Sequence, residues 1–412
     1  MAPTRAYYVV YAALPDGTIE PAADLGLETD ARGRHIASAV RYRSDWLRHP
    51  QRFALNPVHV PLQSDAIEWE TRELPALIDE VCPGRWERAV LARMWQRMGA
   101  ARDLDDLHAI LSAPRRSFRV GAVEIGPADA PPPRITEAID VAEIDQLAQV
   151  AGEVVAEHDP EIDALQRLQA GSSVGGARPK VIVRDGDGVY LAKLTRADDR
   201  FNHARVEHVC LELARRAGIA APASRVIRAG RSDALLVERF DVAEEGGRYH
   251  LVSANALLKD AATQADRWIA AYEDLVTVIR RYSDQPAADL RQLFAQMLLN
   301  RTINNLDDHL RNFSFRAGPD GFRLSPAYDL VPSEAVGGYP NLGFGSEPAP
   351  PGLDRPERLH AAGRRFALRK AEVDEIVGRL QEALRSLPEL LAETGVSEAD
   401  QRLLRRVMRA NA

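Results

Sequence analysis

Two cysteines, Cys82 and Cys210, are all that the 412 residues carry. They lie far apart and without metal-like spacing, so neither a disulfide framework nor a zinc site is indicated. No run of about 18 apolar residues occurs, which excludes an expected transmembrane helix. Met1 to Tyr11 lacks the basic start and apolar core of a secretory signal, so a cytoplasmic protein with no membrane partner is expected. Lysine is scarcer than it first seems. Of 53 Lys plus Arg, only Lys180, Lys193, Lys259 and Lys370 are lysines. A net charge of −7 argues against a general nucleic-acid binder.

What is present is an ordinary globular composition, 45% hydrophobic and 27% charged, long enough for about two or three domains. Tyr7 to Ala13 alternates and ends at Pro15-Asp16-Gly17, a turn signal, so it reads as a first strand. Tyr42 to Leu62, broken by prolines, reads as strands and turns. From Leu74 to Leu111 the pattern turns helical, with Leu77, Val81, Trp86, Val90, Leu91, Met94 and Trp95 as core positions. Phe118 to Ile125 alternates as a strand. Pro131-Pro132-Pro133, within Gly126 to Arg134, forms a stiff linker. Domain divisions are expected at 1–126, 127–241 and 242–412.

A short helix is expected over Val141 to Val150. The next stretch, Gly171 to Lys180, is rich in small residues (Ser173, Val174, Gly175, Gly176, Ala177) and leads into a strand, Val181 to Arg184. A turn at Asp185-Gly186-Asp187-Gly188 starts a second strand that ends on Lys193. Glycine-loop amides can approach phosphates because no side chain blocks them. Lys180 and Lys193 would supply compact cations to the same phosphates. A flexible surface loop is the competing reading, and neither G-x-G-x-x-G nor G-x-x-x-x-G-K-[ST] is present. Ala204 to Ala217 reads as a helix stopped by Gly218, with Val206, Val209, Cys210 and Leu213 on one face. Its Glu207 is a candidate partner for Lys193, although an acid near a helix start also suits the helix dipole. Ser224 to Arg228 and Ala234 to Phe240 read as strands; beyond Asp241 the pattern is almost wholly helical.

An apolar helix, marked by Leu290, Leu293, Phe294, Met297 and Leu298, runs into Asn304-Asn305-Leu306-Asp307-Asp308-His309-Leu310-Arg311-Asn312-Phe313. Asp307 and Asn312 stand in the Asp-x-x-x-x-Asn order of a kinase catalytic loop, where the Asp accepts a hydroxyl proton and the Asn holds magnesium. Asp329 is placed to be the second metal-holding acid. Read alone, an Asp-rich loop after a helix is also a common solvated cap.

Together these segments resemble the HipA family of bacterial serine/threonine kinases, the toxin halves of toxin–antitoxin pairs. The resemblance is carried by Ser173 through Lys180, Leu191-Ala192-Lys193-Leu194, Glu207, Val237-Glu238-Arg239-Phe240-Asp241, Asp307 through Phe313, and Tyr328-Asp329, in family order. Ser44-Asp45-Trp46-Leu47, Leu77-Ile78-Asp79-Glu80 and Val120-Gly121-Ala122-Val123 extend it over the N-terminal third. It implies an α+β, two-lobed protein-kinase-like fold with mixed α/β N-terminal subdomains and an all-α C-terminal lobe. It also implies ATP and Mg2+ as cofactors. Lys193, oriented by Glu207, would contact the phosphates, and Glu238 and Phe240 would offer backbone groups to adenine. Asp241 would lie near the ribose and His309 near the nucleotide, where a structural hydrogen bond is the other reading of the histidine. Asp307 would be the base, and Asn312 and Asp329 the magnesium ligands. Ser173 matches the loop serine at which family members phosphorylate themselves. Two features depart from kinases at large: Asp329 is followed by Leu330-Val331, and His309 stands two positions after Asp307.

The resemblance further implies an aminoacyl-tRNA synthetase as the phosphorylated protein. It implies a HipB-like helix-turn-helix antitoxin, with operator DNA reached mainly through that antitoxin. Two other readings remain at this stage: a nucleotide-binding corepressor without kinase activity, and a small-molecule kinase on the same plan.

Overall fold

The computed structural model describes residues 3–100, 102–113, 120–133, 138–158, 160–171, 176–318, 320–335 and 338–409. Strands β1 (Thr4–Ala13), β2 (Ile19–Thr29) and β3 (His35–Tyr42) come first, followed by helix α1 (Ser44–Arg48), β4 (Ile67–Glu70), helices α2 (Ala76–Val81), α3 (Arg85–Arg97) and α4 (Leu107–Leu111), and β5 (Val123–Pro127). The strands form one antiparallel sheet in the order β4-β3-β2-β1-β5. The turn after β1 closes where Asp16 Oδ1 accepts from the Thr18 amide at 3.0 Å and Gly17 takes φ +85°. Tyr8 to Ala13 are buried without a break, so this interior strand is covered on both faces. The seven core positions expected between Leu74 and Leu111 are all buried. Tyr42 to Leu62 differs from expectation. Its prolines leave only α1 and an isolated Asn56–Val60 bridge.

The middle of the chain contains β6 (Ile139–Asp140), helices α5 (Ile144–Val155) and α6 (Ile162–Gly171), β7 (Lys180–Asp185), β8 (Gly188–Leu194), α7 (His203–Arg216), β9 (Ser224–Ala229) and β10 (Ser232–Glu238). These strands make a second sheet, β6-β7-β8-β10-β9, antiparallel except for the β6–β7 pair. Helix α7 starts where the Asn202 side chain accepts from the Arg205 amide at 3.1 Å and ends before Gly218 at φ +78°. Its four expected apolar positions are buried against the core.

The last part holds β11 (Leu251–Ser253), α8 (Ala254–Leu258), β12 (Ala270–Ala271), α9 (Tyr272–Tyr282), α10 (Pro286–Ile303), β13 (Ser314–Ala317), β14 (Phe322–Leu324), β15 (Leu342–Gly343), α11 (Pro356–Arg365), α12 (Lys370–Arg385), α13 (Leu387–Glu393) and α14 (Glu398–Arg409). It is dominantly helical but not all-α: β11, β13 and β14 form a small antiparallel sheet. That sheet folds the chain back after Asn312, with Phe313 and Phe315 buried beneath it. Helix α10 is buried nearly all round, which its one-faced sequence pattern understates. Phe294, fully buried, meets Phe366 edge-on at 5.2 Å. Burying such a side chain contributes about 1.5–3 kcal/mol. Among the described residues no helix is long and apolar enough to cross a membrane.

Candidate active site

Helix α10 ends at Asn304, which takes the left-handed φ of +58° and donates its side-chain amide to the Ser333 and Ala335 carbonyls at 2.8 and 2.9 Å. Asn tolerates that conformation where most residues do not. The stop turns the chain into the loop 305–312, which faces a cavity of about 1050 Å³. Lys180, Lys193, Glu207, Asp307, Asn312 and Asp329 all line it.

On the opposite wall, Lys180 and Lys193 are register partners across β7 and β8. Like charges directly opposite each other are normally unfavourable. Here Lys193 Nζ lies 2.5 Å from Glu207 Oε1 and 2.7 Å from Asp329 Oδ1. Burial alone would depress the Lys193 ammonium, but the two carboxylates more than offset it and hold it above its ordinary value. Lys193 in turn holds Asp329 well below the usual carboxylate range. Glu207 is 4% exposed, and burial pushes its carboxyl up against the opposing pull of Lys193. Lys180 is shifted down, first by burial and then by Lys193.

The two adjacent acids of the loop are separated by environment. Asp307 is exposed to the cavity, and its Oδ1 accepts from Asn341 Nδ2 at 3.0 Å. Asp308 points inward, where Oδ2 accepts from Tyr272 Oη at 2.6 Å and Oδ1 from the Leu342 amide at 3.3 Å. Burial pushes Asp308 up from 3.8 to about 7, opposed by the Tyr272 and Leu342 hydrogen bonds. A raised carboxyl stabilises the fold fully at pH values below 3.8, and that contribution is lost as pH rises through about 7. Asp308→Asn is therefore expected to flatten the fall in melting temperature between about pH 4 and pH 7. Parallel melting curves for parent and variant would contradict this.

Asn312 Nδ2 donates to the Asp307 carbonyl at 2.8 Å, so the amide end of this side chain is fixed to the loop. Asp329 sits at φ +58°, a costly conformation for a non-glycine residue that tends to persist at functional sites. His309 Nδ1 is buried with no hydrogen-bond partner among the described residues.

The connecting segment between the sheets and the helices brings Glu238 and Phe240 to the cavity, with the Phe240 ring 5.9 Å from that of Tyr328. Asp241, expected near the ribose, also lines the cavity and is firmly held there. Both its oxygens are held by Arg239, at 2.9 and 2.6 Å, and Oδ2 also accepts from the Gly121 amide at 2.7 Å. The Asp241 carboxylate thus ties the connecting segment to the first sheet region. Ser173, Val174 and Gly175 lie outside the described residues. Gly176 has φ +111°, and a Cβ there would lie 2.5 Å from Lys180 Nζ; Ala177 is exposed beside it.

Several contacts had no sequence signal. Asn341 reaches Asp307 from 34 positions away. Trp86, expected only as core, donates Nε1–H to the Lys180 carbonyl at 2.9 Å.

Hard oxygen donors suit magnesium, which usually takes one or two carboxylates together with substrate phosphates. Asp329, held anionic, and the Asn312 carbonyl oxygen fit that requirement.

The cleft thus carries paired lysines on one wall and an Asp–Asn loop on the other, the arrangement of a kinase-like fold. The profile of the HipA-like C-terminal domain matches residues 172–387, and the chain belongs to that family. Toxin YjjJ of Escherichia coli K12 is 29% identical over 181 residues, covering 41% of this chain and 40% of that protein. The serine/threonine-protein kinase toxin HipA of Shewanella oneidensis is 28% identical over 184 residues, covering 39% and 42%. The aligned stretches thus span about 40% of these relatives' length. A chain of the Shewanella oneidensis MR-1 complex of HipA, HipB and operator DNA superposes with a TM-score of 0.63 at 18% identity, over 97% of this chain and 95% of that one. That likeness establishes the fold.

Proposed function

We propose that this protein is an ATP- and magnesium-dependent serine/threonine protein kinase acting as the growth-arresting toxin of a cytoplasmic toxin–antitoxin pair. The observation that carries the reading is the cross-strand pair Lys180 and Lys193, neutralised by Glu207 and Asp329 and lining one cavity with Asp307 and Asn312. The two carboxylates balance the two ammonium groups within the protein, and phosphate oxygens entering the cavity would meet the same compact cations.

In the proposed reaction, Asp307 Oδ2 accepts the proton of a substrate hydroxyl while Asn341 steadies Oδ1. The hydroxyl oxygen bonds to the γ-phosphorus, and the bond from that phosphorus to the β–γ bridging oxygen breaks, releasing ADP. Lys193 and Lys180 hold phosphate oxygens, and Glu207 orients Lys193. Asn312 and Asp329 would hold the magnesium, which when bound offsets charge on the transferred group. Glu238 and Phe240 would contact adenine, and His309, whose buried Nδ1 has no partner among the described residues, would face the nucleotide.

By analogy with the family, the acceptor is an aminoacyl-tRNA synthetase and the neutralising partner a HipB-like helix-turn-helix antitoxin that recruits the kinase to operator DNA. Ser173 is proposed as the self-phosphorylation site. A phosphate there adds about −1.5 to −2 charge to the small-residue loop and would remove that loop from the nucleotide. Prolonged incubation with ATP and magnesium, followed by phosphopeptide mapping, is expected to place label on Ser173 and to lose it in Ser173→Ala. Tight ATP binding with no label on any residue would favour the corepressor reading instead.

A further inference from the structure

The N-terminal region carries a pair of contacts that reach both walls of the cleft. Helices α2 and α3 are joined by Cys82-Pro83-Gly84. From α2, Asp79 Oδ2 lies 3.2 Å from Arg311 and 3.3 Å from Lys259 Nζ. Asp266 completes the group, 3.4 Å from Arg311 and 2.7 Å from Lys259. Two cations and two anions therefore alternate around Arg311, the residue immediately before Asn312. The Arg311 carbonyl is held from the other side by Tyr328 Oη at 2.9 Å. Neighbouring Glu80 accepts from the Ser253 amide and hydroxyl at 2.9 and 2.7 Å, and Ser253 pairs with Ser314, just beyond the loop.

One turn later, α3 holds the other wall. The Trp86 amide donates to the Gly176 carbonyl at 3.0 Å, and its indole N–H to the Lys180 carbonyl at 2.9 Å. Trp86 is buried, so its ring is fixed by packing while both donors point at the end of the small-residue loop.

We propose that the α2–α3 junction is a positioning element that sets the catalytic loop against the phosphate-binding lysines, Asp79 acting through Arg311 and Trp86 through Gly176 and Lys180. This deepens, and rests on, the kinase reading above. Two lobes joined only by one connecting segment open and close about it. Here a short stretch of another region grips both lobes, so the spacing between Lys193 and Asp307 is constrained by this junction in addition to the connecting segment and the Lys193–Asp329 pair. Misplacement of reacting groups by about 1 Å can cost a hundredfold in rate, which makes such a constraint consequential. Asp79 and Trp86 touch no reacting atom in this scheme and act through other residues.

The test uses the full chain with Asp79→Asn, which keeps the size of its parent, and Trp86→Phe, which removes the indole N–H and keeps an aromatic ring in the core. Asp79→Asn is expected to lower kcat about tenfold, leave ATP affinity within about twofold, and accelerate hydrogen exchange over 305–315 alone. Trp86→Phe is expected to show the reverse: weaker ATP binding, faster exchange over 176–194, and little change in the catalytic loop. Asp79→Glu, which keeps the charge, should recover most of the lost rate. A merely structural role would lower the melting temperature of both variants with kcat per folded molecule and local exchange unchanged, and that result would overturn the proposal. If the parent transfers no phosphate, the kinase reading fails. The exchange measurements then still decide whether the junction holds the two walls.

Discussion

Asp307→Asn is expected to lower phosphoryl transfer by about a hundredfold to ten-thousandfold, the usual weight of a general base. The substitution preserves shape, and its carbonyl oxygen can still accept from Asn341, so loop geometry and ATP affinity should hold. Only the capacity to take the hydroxyl proton is lost. Asp308→Asn, one residue on, should not have this effect, because Asp308 faces Tyr272 inside the core. Initial rates at saturating ATP, with ATP affinity measured separately, distinguish the two positions. Equal losses in both variants would contradict the assignment of the base.

Lys193→Met is expected to do two separable things. It removes a cation from the phosphates, which should cost about a hundredfold to a thousandfold in turnover, as for other groups that stabilise developing charge. It also strands Glu207, a buried carboxylate whose pairing partner is gone. Breaking such a pair costs about 3–5 kcal/mol. Adding Glu207→Gln should therefore restore most of the stability of Lys193→Met while restoring none of its activity. Denaturant unfolding and phosphotransfer assays on the single and double variants check both halves. Activity returning along with stability would mean that Lys193 serves the fold alone.

Much of the site was legible because its chemistry depends on residue type and order. The scarcity of lysine singled out Lys180 and Lys193, and strand periodicity with a hairpin turn was enough to make them neighbours. Asp307 and Asn312 were legible from their spacing after an apolar helix. What could not be read was direction. Sequence order alone does not say which of Asp307 and Asp308 faces the cavity; the tertiary contacts with Tyr272 and Leu342 decide that. The tie that holds Asp241 was not legible for a related reason: its partner amide, from Gly121, comes from another sheet region. The small sheet β11-β13-β14 was missed because its strands are three to four residues long, too short to show alternation within an apolar surrounding. The contacts of Asp79 and Trp86 with the cleft walls were not legible either, because they form only once the chain is folded around the cleft.

The most direct measurement follows the γ-phosphate of labelled ATP, with magnesium, through reactions containing the parent protein or Asp307→Asn and a protein extract as acceptor. The expected result is acid-stable label on serine or threonine hydroxyls of protein, present with the parent and nearly absent with the variant. Label appearing only on a small molecule, or ATP left intact by a protein that binds it, would contradict a protein kinase at this site.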